Sequence, residues 1–411
     1  MRCVVVGGGA AGIFCAGMLA TFGHDVTLLE KNEKLGKKLY ITGKGRCNIT
    51  NDADRETLLQ NIVSNPKFAI SALSKFTPQD TMAFFEEKGV KLKVERGNRV
   101  FPESDKSSDI IKALEKWLIK AGVNVLLRQE VKGIKIGDSG ACGVFTQNGE
   151  IEADKVIIAT GGISYPATGS TGDGYKWAKS LGHNIVELKP GLDGLLADKT
   201  TKLSGLTLKN VRAEIYDCEE ELDSEFGEML FTHVGVSGPI ILSLTSRINK
   251  YYSIGKFIRP LTLRIDLKPA ITNEELNQRL LKDFKEKSNL DIKNLMPEYL
   301  PKALIEYVLS QANIQENIKC NSITVQMREN LIKALKGLEF KIKGIDKIEA
   351  AIITAGGVDV KEISPKDMQS KLIPNLYFIG EVLDIDALTG GFNIQLALST
   401  AYAMAKSLEN E

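Results

Sequence analysis

The sequence predicts an α/β protein in which the first and last parts of the chain build one parallel-sheet domain around an insertion. Three observations carry that prediction. Arg2 to Val6 (RCVVV) is a β-branched run that leads into a glycine-rich turn. Lys155 to Ile158 is a second apolar run, ending in Ala159-Thr160-Gly161-Gly162. Asn375 to Gly380 (NLYFIG) is a third, followed by an acid and another glycine-opened helix. Continuous apolar runs of this length suit strands covered on both faces.

The first stretch is the most specific. Gly7, Gly9 and Gly12 match G-x-G-x-x-G, with Gly8, Ala10 and Ala11 between them. The three glycines serve a tight turn, a close approach of backbone to pyrophosphate, and close packing of helix on strand. Ile13 to Thr21 contains no proline and is expected to be helical, its N-terminal N–H groups facing a diphosphate. Asp25 to Leu29 is the next strand. Glu30 follows it, 18 residues past Gly12, where a carboxylate accepts the hydroxyls of an adenosine ribose. This is a Rossmann-like dinucleotide site. A signal peptide does not fit, because three consecutive glycines break the apolar run and cleavage near Ala20 would remove the first strand.

Composition sets bounds. The 411 residues suit two or three domains, and 43% hydrophobic with 26% charged residues is ordinary for a soluble protein. A net charge of +1 argues against a dominant polyanion-binding surface, though not against a local patch. No apolar run approaches the roughly 20 residues of a membrane span. Six scattered cysteines without C-x-x-C, and three histidines, offer no metal site, so none is expected. Reduced thiols and a cytoplasmic location fit best.

Along the chain, Lys31 to Asn51 has loop chemistry. Lys37, Lys38, Lys44 and Arg46 are placed to meet phosphates or a substrate anion, and Gly43 and Gly45 suit a backbone pressed on a ligand. Residues 54 to 90 should be helical. Val94 to Ser108 should be a turn-rich excursion carrying Arg96 and Arg99, before a helix from Asp109 to Ala121 capped by Ser107 or Ser108. Asn124–Leu127, Val131–Ile136 and Gly143–Thr146 form the three-stranded antiparallel meander expected of a flavin-binding Rossmann domain. Gly162 to Tyr175 is a glycine-rich, ligand-lining loop. From Gly191 strand-like segments follow, and 272 to 340 carries helical spacing. The expected division is 1–190, 191–270, 271–342 and 343–411, the outer two being halves of one domain. In the last part, Glu381 or Asp384 can hold a ribityl chain. A helix starting near Gly391 points its positive end at a flavin pyrimidine edge, worth about 0.3–1 kcal/mol.

Several long segments resemble the YhiN/BaiN-like family of bacterial flavoproteins nearly end to end: GKKLYITGKGRCNITN (36–51), ERGNRVFPESDKSSD (95–109), ATGGISYPATGSTGDGY (159–175), LFTHVGVSGP (230–239) and GEVLDIDALTGGFNIQLALSTA (380–401). The resemblance implies a two-part Rossmann-like FAD domain interrupted by a β-barrel-like domain and a small helical subdomain. It also implies non-covalent FAD. Activities proposed within the family diverge: reduction of a steroid enone, oxidation of an amine, and reduction of a uridine in large-subunit ribosomal RNA. The residues and the resemblance together place cofactor contacts at Gly7, Gly9, Ala10, Ala11, Gly12, Glu30, Lys31, Lys37, Gly43, Arg46, Cys47, Asn48, Val131, Ala159, Thr160, Gly161, Gly380, Glu381, Asp384, Gly391, Phe392, Asn393 and Ile394.

Flavin carries the electrons, so the protein must orient substrate and manage protons. Reducing a conjugated C=C by hydride needs an acid on the far face of the alkene. Cys47, between Arg46 and Asn48, is the first candidate and Tyr165 the second. His233 could reach the cleft from the inserted domain, and Arg99 could clamp an anionic substrate group. A second G-x-G-x-x-G after a strand is missing, so NAD(P)H is expected only as a transient reductant. The expected activity is an FAD-dependent oxidoreductase acting on a small molecule. Ribosomal RNA is the alternative partner: Lys67, Lys75, Lys88, Lys91, Lys93, Arg96 and Arg99 are available, but Glu86, Glu87 and Glu95 interrupt them and no stripe of stacking aromatics is visible. Oligomeric state is left open.

Overall fold

The computed structural model describes residues 1–410. The chain divides into two units, residues 1–191 with the segment from 347 onward, and residues 192–346.

The first unit is built on a five-stranded parallel sheet. Its strands in chain order are β1 (Arg2–Val6), β2 (Asp25–Glu30), β3 (Asn124–Leu127), β4 (Lys155–Ile158) and β5 (Leu376–Phe378), arranged β5-β4-β1-β2-β3. Val4 lies between Thr27 and Val156, and Val156 pairs on with Leu376, so the last strand enters beside the fourth. Helix α1 (Ala10–Thr21) covers one face, packed by α2 (Ser107–Ala121) and by α3 (Phe392–Ser407). α1 is buried nearly all round, which is why small residues recur along it: a Cβ on Gly17 would stand 2.4 Å from the Trp117 ring.

Four local expectations change. Asn124–Leu127 is not part of the meander, because its residues pair in parallel with Thr27 to Glu30; the antiparallel meander is Val131–Gly137, Gly140–Thr146 and Gly149–Glu152. The excursion at 94–108 contains a hairpin, Leu92–Glu95 with Arg99–Pro102, turned at Gly97 and Asn98, both at positive φ. The loop after Glu30 holds a short helix, Lys37–Gly45, broken at Thr42 to Lys44. Neither Ser107 nor Ser108 caps α2; the Ser107 hydroxyl instead donates to the Tyr40 carbonyl oxygen (2.8 Å).

The second unit is a closed six-stranded barrel of Leu195–Ala197, Gly235–Ser237, Glu220–Phe231, Thr207–Asp217, Leu261–Asp266 and Leu338–Ile345, in that order round the barrel. Helices Asn273–Glu286, Lys302–Gln311 and Val325–Lys336 fill the connection between its last two strands. One buried core serves both, from Leu263 and Phe231 in the barrel to Leu280, Leu304 and Leu335 in the helices. The charged stretch expected to be helical to 340 turns to strand at Leu338, since every second residue from there faces the barrel core.

Candidate functional site

The turn after β1 forms an anion cradle. Gly7 sits at φ +110°, and a Cβ there would lie 2.4 Å from the Ala159 carbonyl oxygen. One on Gly12 would lie 1.8 Å from the Gly7 carbonyl oxygen, whereas one on Gly9 would meet nothing within 4 Å. The chain is therefore tight on both sides of an open position. Gly9 caps α1 without a side-chain bond, and the first intrahelical bond is Ile13 N to Gly9 O (2.9 Å). The N–H groups of Ala10, Ala11 and Gly12 are left to a ligand.

Glu30 is buried and held from both sides. Its Oε2 accepts from Gly8 N (2.7 Å), and its Oε1 from Asn32 N (2.8 Å) and Asn32 Nδ2 (2.6 Å). Charge-assisted bonds to N–H groups fix a carboxylate rigidly. Around it the ribose end of the cradle closes. Gln129 N donates to Glu30 O (2.9 Å), which brings the Val131 strand alongside. Lys31 pairs with Asp173 (2.7 Å), and Asn32 Nδ2 donates to Thr168 O (3.0 Å), tying down the 162–172 loop.

The other end is built from segments far apart in sequence. Gly380 backs onto α1, where a Cβ would stand 2.8 Å from Ala11 Cβ. Next to it, Glu381 takes both carboxylate oxygens to Lys38 Nζ (2.9 and 2.8 Å), and Oε1 also accepts from Thr354 N (3.0 Å). Gly391 opens α3 at φ +101°, pressed on Thr50, so the N–H groups of Phe392, Asn393 and Ile394 point outward from the helix start. The Asn393 side chain accepts from Ala387 N (2.9 Å) and donates to Ala387 O (2.7 Å), pinning the loop before the helix. Asp384 accepts from Asn65 Nδ2 (2.8 Å), and burial raises its pKa.

Other expected site residues stand elsewhere. Arg46 Nε donates to Asp105 (2.6 Å) and its Nη2 to Glu95, and the guanidinium lies over the Phe101 ring, so it stands here as an ion-pair anchor. Cys47 is fully buried, and burial pushes its thiol up to about 12, a setting that disfavours a poised acid. Its φ of +61° shapes the turn instead. Lys37 meets Asn32 Oδ1 and Glu33 (both 3.3 Å). Arg99 is exposed and donates to the Arg96 carbonyl oxygen (3.0 Å). His233 is exposed in the second unit. Tyr165 is partly exposed on the 162–172 loop at φ +52°, a strained setting for an aromatic residue.

Whether this cradle fits a flavin dinucleotide is tested by its unsatisfied groups. Buried polar atoms are normally bonded. Among the described residues of the first unit, those without a partner are Asn48 Oδ1, Thr160 Oγ1 and the two Asp386 carboxylate oxygens. Asn48 and Thr160 belong to the segments expected to touch the cofactor. With the open position at Gly9, the two free helix starts and the held acid at Glu30, the residues fit FAD. Asp386 was missed in the sequence, having no motif to distinguish it from Asp384. Burial, then the charges of Asp384 and Glu381, raise it to about 6 despite Ser64 nearby.

A two-part dinucleotide domain with a flavin cradle beyond the C-terminal ends of its parallel strands defines the class: an FAD-dependent oxidoreductase. The family model described as HI0933-like protein Rossmann domain matches residues 1–407, so the chain belongs to that family. A ribosomal RNA dihydrouridine synthase of Haemophilus influenzae is 32% identical over 99% of this chain and 98% of its own. A 3-dehydro-bile acid delta(4,6)-reductase of Clostridium scindens is 30% identical over 99% and 98%. Among solved structures, 3-ketosteroid delta1-dehydrogenase from Sterolibacterium denitrificans shares the fold, with a TM-score of 0.53 at 13% identity and 99% coverage of both chains. No helix among the described residues is long and apolar enough to cross a membrane.

Proposed function

We propose that this protein reduces a C=C conjugated to a carbonyl in a small molecule, using NAD(P)H as a transient electron donor. Bound FAD supplies the hydride chemistry. The observation that carries the small-molecule reading is the charge pairing beside the 36–51 segment. Arg46 and Lys93 are matched by Glu95 and Asp105, so these cations are not left to track a polyanion. The whole-length similarity to a bile acid reductase supports it. Glu30 and the start of α1 would hold the adenosine diphosphate end, Glu381 the ribityl chain, and the start of α3 the pyrimidine edge. With Cys47 buried and its thiol pushed up, Tyr165 is the proton donor of choice, placed on a strained loop tied to Lys31 and Asn32.

A second reading has its own support. A uracil ring also holds a C=C conjugated to a carbonyl, and two whole-length relatives, from Haemophilus influenzae and Escherichia coli, are named for ribosomal RNA dihydrouridine synthesis. One anaerobic experiment separates the two. The FAD-loaded protein is mixed with NADH or NADPH, and the bleached enzyme is then offered steroid enones or unmodified ribosomal RNA. Bleaching followed by reoxidation with an enone supports the proposal. Reoxidation by RNA alone transfers it to the second reading, and no bleaching with either nucleotide overturns the donor.

A further inference from the structure

We propose that Lys38 is a positioning residue of the flavin site: it fixes the Glu381 carboxylate and cancels its charge where the cofactor is reduced. The inference rests on FAD occupying the cradle and not on the identity of the substrate.

Four separate segments meet at this pair. Lys38 Nζ reaches both Glu381 oxygens (2.9 and 2.8 Å) and the Ser164 hydroxyl (2.7 Å). Glu381 Oε1 also accepts from Thr354 N (3.0 Å), while Thr354 Oγ1 accepts from Ile163 N (2.9 Å) and Ser164 N (3.1 Å). Gly162 makes the room: a Cβ there would stand 2.3 Å from Thr354 Oγ1. Both side chains are about four-fifths covered, so their interaction is screened less than a surface pair. The lysine thus comes from the segment after the ribose acid, and the carboxylate from the turn that follows the last strand of the sheet.

The arrangement solves an electrostatic conflict. A carboxylate is a good acceptor for ribityl hydroxyls, yet an unpaired carboxylate there opposes the negative charge that a flavin gains on reduction. An ammonium bonded to both oxygens keeps the acceptor and removes the opposition. A buried pair that loses one partner leaves an uncompensated charge.

Lys38→Met, Lys38→Arg, Glu381→Gln and the Lys38→Met/Glu381→Gln double variant are compared for FAD dissociation constant and flavin midpoint potential. Melting temperature of the apoprotein controls for folding. In Lys38→Met, FAD binding is expected to weaken about tenfold and the potential to move to more negative values, with Lys38→Arg restoring most of both. In the Glu381→Gln background, Lys38→Met should change the potential little, because the charge it cancels is gone. An unchanged potential in Lys38→Met, or an equal shift in both backgrounds, overturns the inference while leaving the FAD site intact. A wild-type protein that takes up no FAD overturns the cradle itself, and the inference with it.

Discussion

The two ends of the cradle use one device twice. Each has a strand, a glycine turn, a helix start with free N–H groups, and an acid. They differ in how the acids are held. Glu30 is bonded only by neutral N–H donors, all within the segment Gly8 to Asn32. The far end carries three carboxylates in six residues: Glu381 against an ammonium, Asp384 against an amide, and Asp386 against nothing of good geometry. The first end is a rigid clamp that holds one charge. The second is a place where charge is balanced.

Breaking the clamp should give the largest effect. Gly12→Val sets a branched side chain where even a Cβ is 1.8 Å from a carbonyl oxygen, and FAD affinity should fall at least about a hundredfold in a spectral titration. Glu30→Gln keeps the shape but loses the charged acceptor. A drop of about ten- to a hundredfold is expected, read in the same titration.

The far end is sharpened by pH. Burial pushes the Asp386 carboxyl up to about 6 from its ordinary 3.8. The folded state therefore holds a proton that the unfolded chain releases across that window. Its contribution to stability is full below about 4 and is lost as pH rises through about 6. Asp386→Asn should flatten this decline, melting higher than the parent at pH 7.5 and about equally near pH 4. A parent protein whose melting temperature does not fall between pH 4 and 7 speaks against the unpaired buried carboxyl.

The smallest effects belong to the segment between the two ends. Cys47→Ala should cost about 1 kcal/mol of stability, with turnover kept within a few-fold; loss of turnover with FAD retained would restore the thiol as an acid. Arg46→Met should alter stability by less than about 1 kcal/mol and FAD affinity by less than about twofold.

What was legible follows the same division. Spacing alone located Gly7 to Gly12, Glu30 and the three buried runs, because these are dictated by backbone sterics within short stretches. Partner choice was not legible. Whether Arg46 meets a phosphate or Glu95 depends on a hairpin almost 50 residues away, and whether Lys38 meets Glu381 depends on a turn 343 residues on. Cys47 looked poised from its neighbours Arg46 and Asn48, but the fold buries its side chain. The barrel of residues 192–346 came from the family resemblance, since its strands show no single repeating signature, and the turn to strand at Leu338 was hidden among lysines that face outward.

The pairing of β5 with β4 carries a consequence for how the molecule is made. Lys155 and Asn375, 220 residues apart, meet at the edge of the sheet, and the whole second unit is synthesised between them. During translation the β4 edge waits uncovered, a template for pairing with another nascent chain. The flavin end of the cradle cannot exist until Gly391 has left the ribosome. Cofactor uptake is therefore a late event in the life of each chain.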